Sequence, residues 1–531
     1  MTQMTDTITT KLLIKKGYFP KELIPAFTTE NLAEALQYLP KSLEFLSQKH
    51  SRYCSHSFPK VKHIRRNLGI PNPLHQIKVC QVLNNYWTEI NKLVSSSNIS
   101  LSTPTACSDG KRALVPALDA QHSQLTVERA IRSAGYRYCL YTDISRYYST
   151  IYTHTIPWAI HTKKLAKTKR NKNSTYYGNL IDECVRNTQD GQTLGIPIGP
   201  DSSLVISEII GTRIDNMLQE EIKDEIRGIR YIDDYYLYFN ERSKAEYALA
   251  KLHKVLQEFE LDANPTKTSI IELPEPLEAL WLSDLKSYPL HSNIRHQQSQ
   301  ILSFFNKVFE YSKVFPNDYV LKYSLAKTSR VLIHQDNWSL YESFVLSSII
   351  AEPSVLPIAT EILYSYQLKD YALNLERISA TIASVIAYHS KLNHSYELSW
   401  ALWLSKTLKL NISDKSVQEI YTVEDSIVAL VALNLHYDGL VPSGLDVTEW
   451  KLLMTKQELY SKNWLFAYEA DIQGLQISQS QNYVESDDFF SILKSNQVSF
   501  YDSKKQVPLL DGLGEKDYSD SEEELAFYSY F

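Results

Sequence analysis

Cysteine is scarce in this chain, and no two of its cysteines form a CxxC pair. The five lie apart at positions 54, 80, 107, 139 and 184. Neither a zinc site nor a disulfide framework is expected, and the thiols fit a reducing compartment. The 14 histidines form no HxxxH or HExxH, so histidine-based metal chemistry has no support. No Ser-His-Asp triad, P-loop or GxGxxG is visible. No run approaches eighteen consecutive apolar residues, which argues against a membrane span. Residues 1–6 show no signal-peptide pattern, so a cytoplasmic protein is the expectation.

What is present suits a globular protein of two to four domains: 531 residues, 44% of them hydrophobic. The net charge of −6 hides an asymmetry. Residues 1–180 carry 25 Lys/Arg against 10 Asp/Glu, and the rest 30 against 51. A basic front half fits nucleic-acid binding. Its densest run, His161–Lys172, offers Lys163, Lys164, Lys167, Lys169 and Arg170 as phosphate contacts. A merely solvated loop is the other reading of that run. The acidic back half could dock against the basic half of a neighbouring copy or a partner protein.

The most informative segment is Arg230-Tyr-Ile-Asp233-Asp234-Tyr-Tyr-Leu-Tyr-Phe239. Aromatic and β-branched residues make a strand pair, and Asp favours turns, so Asp233-Asp234 is expected at a hairpin tip. Two adjacent carboxylates repel unless a cation lies between them, and Mg²⁺ takes hard oxygen ligands. A second strand, Tyr138–Thr142, ends in Asp143. Brought beside the tip, that carboxylate completes a two-metal site. Ions held about 3.5–4 Å apart would clamp the attacking and leaving oxygens of a phosphoryl transfer. The alternative for the hairpin taken alone is an ordinary exposed Asp-Asp turn.

These segments resemble the reverse transcriptases. The hairpin is similar to their (Y/F)xDD signature, and the segment from Asp143 to their upstream palm motif. The resemblance implies an α+β fold: a right-hand polymerase palm and fingers, followed by an all-α, solenoid-like C-terminal domain or an irregular helical bundle. It implies a nucleotidyltransferase in which Asp143, Asp233 and Asp234 are catalytic and, with Ile144 beside Asp143, hold two Mg²⁺. Tyr148 would exclude ribonucleotides, so dNTPs are the implied substrates. Lys60-Val-Lys62-His-Ile-Arg65-Arg66 before Leu68-Gly-Ile-Pro71 resembles the fingers segment that grips the triphosphate, with Arg66 and Lys60 or Lys62 as the cations. Gly191–Ser203 resembles the glycine-rich template and nucleotide loop, placing Pro197, Ile198 and Gly199 at the nucleotide. Leu261–Thr268 resembles the next palm motif, with Lys267 near the triphosphate.

One departure matters. Where most of the family has Gln after the Pro, this chain has Ile198. That loop, Gly17–Leu23 and Ile151–Ala159 together resemble the bacterial defence-associated and abortive-infection reverse transcriptases. The implied function is RNA-directed DNA synthesis in defence against phage, with an RNA template or noncoding RNA, a DNA product, and a second copy or second polymerase subunit as partners. Two alternatives remain open: template-independent or protein-primed synthesis by the same site, and a non-catalytic scaffold of palm shape. Expected boundaries are an N-terminal segment 1–29, fingers and palm 30–285, helices 286–500 and an acidic, aromatic tail 501–531. In that tail Tyr528 and Tyr530 are candidate priming hydroxyls; a docking peptide is the simpler reading. Helices are expected over 30–50, 75–95 and 245–259, a loop over 103–118, and a helical face bearing Leu302, Phe305, Val308 and Phe309.

Overall fold

The computed structural model describes residues 8–40, 50–61, 64–107, 110–121, 124–223, 225–290, 294–421, 423–441, 445–474 and 482–510. Lys62, Tyr528 and Tyr530 lie outside them.

Eight strands are present among the described residues: β1 (Cys54–Val61), β2 (Ile64–Ile70), β3 (Pro104–Ala106), β4 (Leu114–Pro116), β5 (Tyr138–Asp143), β6 (Arg227–Tyr231), β7 (Asp234–Phe239) and β8 (Ser269–Glu272). The last four form one antiparallel sheet in the order β6-β7-β5-β8. Register is fixed by the apolar pattern, because a one-residue slip would turn every side chain over. Leu140 sits opposite Leu237, both fully buried. One position along, Tyr141 opposes Tyr236 and the rings stack 4.9 Å apart, a cross-strand pair that ties the two strands carrying the carboxylates. The helix Arg242–Glu258 packs on β5 and β7, and Asp201–Ile222 packs on that helix.

The β1–β2 hairpin stands apart from this sheet. It joins the palm through the glycine-rich loop: the Gly69 N–H donates to the Ile198 carbonyl at 2.8 Å, and Leu68 bridges Ile198. The segment 103–118, expected as loop, contains the short β3–β4 hairpin. It is pinned by Asp201, which accepts from the N–H groups of Ala113 and Leu114 and from Arg112. Tertiary contact overrides a Pro-, Gly- and Ser-rich sequence there.

From Ile294 the chain is helical. Trp338–Ala351 packs on Leu375–His389, that helix on Ser395–Leu408, then Ser426–Tyr437, then Trp464–Ile472. On Ile294–Val314 the apolar face is Ile301, Phe304, Phe305 and Val308. Leu302, assigned to that face from sequence, is exposed, because Ile301 and Phe304 hold its place at helical spacing. The helices do not form a core of their own. One cluster of buried apolar residues runs continuously from Ile8 to Val507. The Trp464 indole donates to the Ile70 carbonyl at 3.0 Å, and Tyr501 bridges Phe27. Residues 501–510, assigned to the tail from sequence, therefore begin packed: Tyr501 and Val507 are buried.

Candidate active site

The turn between β6 and β7 falls on Ile232-Asp233, with Asp234 the first residue of β7. The expected tip is thus displaced by one residue. Ile232 has φ +55°, a left-handed conformation that a β-branched residue adopts only under constraint. Its N–H donates to Ser102 Oγ at 2.5 Å, and its carbonyl accepts from Arg230 Nη1 at 3.0 Å.

Arg230 is fully buried. It donates to both oxygens of Asp215, at 2.9 and 2.8 Å, and to both oxygens of Glu208, at 2.7 and 2.9 Å. Both acids lie on one face of Asp201–Ile222, seven residues apart. Gly211 lies between them in sequence, and a Cβ there would meet the guanidinium at 2.8 Å. Loss of solvation raises the Asp215 carboxyl, and Arg230 pulls against it. Arg230 stands in the key sequence run but had no assigned role. A cation set between the apolar Ile229 and Tyr231, against the aromatic run, is the signal that it needs buried acidic partners.

Asp143 pairs with Asp234 across β5 and β7, and the Ile144 N–H donates to the Asp233 carbonyl at 3.1 Å. Three carboxylates from two strands thus meet at one end of the sheet. Tyr141 donates to Asp234 Oδ1 at 3.1 Å. Lys267 Nζ lies 2.8 Å from Asp143 Oδ2. Burial, then the charges of Asp234 and Asp143, push the Asp233 carboxyl up to about 7. Burial also raises Asp234, against the pull of Lys267. Loss of solvation works against the Lys267 ammonium, but the bond to Asp143 and the neighbouring acids outweigh it and raise it. Asp143 Oδ1 is a buried oxygen with no hydrogen-bond partner among the described residues. Hard oxygen donors with excess negative charge and one unsatisfied lone-pair site fit a divalent cation such as Mg²⁺.

Of the remaining residues expected at the site, Tyr148 and Lys60 feel the charge of Asp233. The Tyr148 hydroxyl accepts from Ser207 Oγ at 3.1 Å, and the charges of Asp233 and Arg66 act on it. Lys60 is exposed, yet loss of solvation, then Arg66 and Lys267, lower its ammonium. Pro197 lies against Gly69 and Gly199 against Pro20; a Cβ on Gly199 would meet Pro20 at 2.5 Å. The basic run divides. Lys163 donates to the Glu258 carbonyl at 2.8 Å and lies 4.3 Å over the Trp158 ring. Lys164, Lys167, Lys169 and Arg170 are exposed.

Two outcomes follow. Arg230→Met leaves two buried carboxylates without their cation and should destabilise the protein by about 3–5 kcal/mol, read by denaturant unfolding. Asp233 has a folded pKa above its unfolded value, so its ionisation opposes folding as pH rises toward 7. In EDTA, Asp233→Asn should therefore melt several degrees above wild type at pH 8, by a margin that shrinks as pH falls toward 4. An equal margin at both pH values would contradict the assignment.

Residues 77–304 match the family model described as reverse transcriptase (RNA-dependent DNA polymerase), a span that includes Asp143, Asp233, Asp234 and Lys267. No curated protein matches the chain. Among solved structures, apo telomerase from Candida tropicalis is 11% identical, covering 74% of this chain and 70% of that one with a TM-score of 0.31. Telomerase from Candida albicans, in complex with a fragment of telomeric RNA, is 10% identical, covering 77% and 66% with a TM-score of 0.30. The chain carries a reverse-transcriptase domain over residues 77–304, the domain of a nucleotidyltransferase of the polymerase kind.

Proposed function

We propose that this chain is an RNA-directed DNA polymerase that extends DNA from dNTPs and serves in bacterial defence against phage. The observation that carries the polymerase reading is the meeting of Asp143, Asp233 and Asp234 at one sheet end, with Asp143 Oδ1 buried and unpaired. The defence role rests on the likeness of Gly17–Leu23, Ile151–Ala159 and Gly191–Ser203 to that group of enzymes.

Asp143, Asp233 and Asp234 would hold two Mg²⁺, which when bound supply Lewis acidity to the attacking hydroxyl and the leaving pyrophosphate. The protein's own groups do the positioning. Arg66 and Lys60 on the fingers, and Lys267 on the palm, present cations to the triphosphate. The bond formed joins a 3′-oxygen to the α-phosphorus, and the bond broken releases pyrophosphate. The Lys267 ammonium is held near the carboxylates, from where it can give a proton to the leaving group. Tyr148, which accepts from Ser207, would crowd a ribose 2′-hydroxyl.

A second reading has a specific observation in its favour. Ile198 is partly buried and its carbonyl is bound to the fingers strand. Its aliphatic side chain cannot form the hydrogen bonds of the Gln common in the family. Synthesis with weak or no template instruction fits that change.

The test is incorporation of each labelled dNTP with Mg²⁺, with and without an RNA template, by wild type and Asp233→Ala, followed by sequencing of the product. DNA made by wild type alone, complementary to the RNA, is the expected result. Wild-type product unrelated to the RNA would favour untemplated synthesis. No product under either condition would contradict both readings. Tyr148→Ala should raise rNTP incorporation relative to dNTP by about tenfold or more.

A further inference from the structure

The hairpin that carries the triphosphate-binding cations is not free to move as fingers on a hinge. Side chains from three helical-region segments hold it. The Ser57 N–H donates to Ser395 Oγ at 2.8 Å. His56 Nδ1 lies 3.0 Å from Asp425 Oδ2, both buried. Phe58 meets Tyr396 edge-on at 4.9 Å. Arg65 forms a two-pronged ion pair with Glu397, the Nη2–Oε2 bond at 2.8 Å. The Tyr319 hydroxyl donates to the Lys60 carbonyl, beside the β-bulge at which β1 turns.

Side chains alternate along a strand. Arg65 therefore faces the helices and Arg66 the opposite side, where its charge acts on Tyr148 and Lys60. The charge of Arg66 also acts on Tyr319, whose hydroxyl is bonded to the Lys60 carbonyl. His389 and His394 lie with their Nδ1 atoms 2.9 Å apart beside Glu397, which could suggest a metal site. Both Glu397 oxygens already accept from Arg65. That contact satisfies the carboxylate charge and favours a hydrogen-bonded histidine pair.

We propose that Glu397 and Tyr319 are positioning residues for dNTP binding: through Arg65 on β2 and the Lys60 backbone on β1 they set the hairpin so that Arg66 and Lys60 point at the triphosphate. The helical region is thereby part of the nucleotide site. This rests on the polymerase reading only in taking a dNTP as the ligand.

The test is equilibrium binding of a non-hydrolysable α,β-imido dNTP with Mg²⁺ to the full-length wild type, Glu397→Gln, Arg66→Ala and the double variant. Glu397→Gln should weaken binding about tenfold in the wild-type background and less than about twofold in Arg66→Ala, because coupled residues do not add. Equal loss in both backgrounds, or no loss, would overturn the proposal. Should Glu397→Gln not fold, Tyr319→Phe removes one hydroxyl and gives the same comparison, with the same two results deciding. A wild type that binds no dNTP overturns this inference and the polymerase reading together. Binding with the expected coupling but no dNTP incorporation sinks the polymerase reading alone.

Discussion

A buried cation between two buried acids holds the carboxylate-bearing turn in place. Arg230 joins Glu208 and Asp215 to the carbonyl of Ile232. A left-handed isoleucine at the turn is unfavourable unless its surroundings over-determine it. Here the guanidinium fixes its carbonyl and Ser102 its N–H. Buried ion clusters give little net stability compared with apolar packing, but they impose one geometry. The same helix that supplies Glu208 and Asp215 supplies Ser207 to Tyr148 and begins at Pro200, where the glycine-rich loop ends. One helix thus aligns the carboxylate turn, Tyr148 and the glycine-rich loop, which is the economy that a site built from distant segments needs.

The second constraint is the shared core. Apolar residues from the opening helix to Val507 form one cluster, so the helices after Ile294 act as a wall of the polymerase. The hairpin bearing Lys60 and Arg66 is clasped between the glycine-rich loop and the helices. Loop and hairpin motions that other sites use for closure have less room where both sides of a hairpin are bonded.

The legible parts were those in which local chemistry and position coincide. A turn at the Asp pair was legible to within one residue, Asp234 itself falling on β7, and the run ending at Asp143 supplied its partner strand. Helix 242–258 followed from period and from the prolines after it. What could not be read depends on partners far apart in sequence. The role of Arg230 required knowing that Glu208 and Asp215 face it. Arg65 reads as a surface cation until Glu397, over three hundred residues on, is packed against it. The β3–β4 hairpin is built on Asp201, a residue that local propensity cannot connect to it. Tyr501 looks like the start of a polar tail until Phe27 covers it.

The most direct measurement is a structure determined with Mn²⁺ and a non-hydrolysable dNTP, with anomalous scattering used to locate the ions. The expected result is Mn²⁺ bound by Asp143, Asp233 and Asp234, with the triphosphate between Lys267 and the Lys60–Arg66 hairpin. A dNTP bound elsewhere, or ions that avoid those three carboxylates, would contradict it.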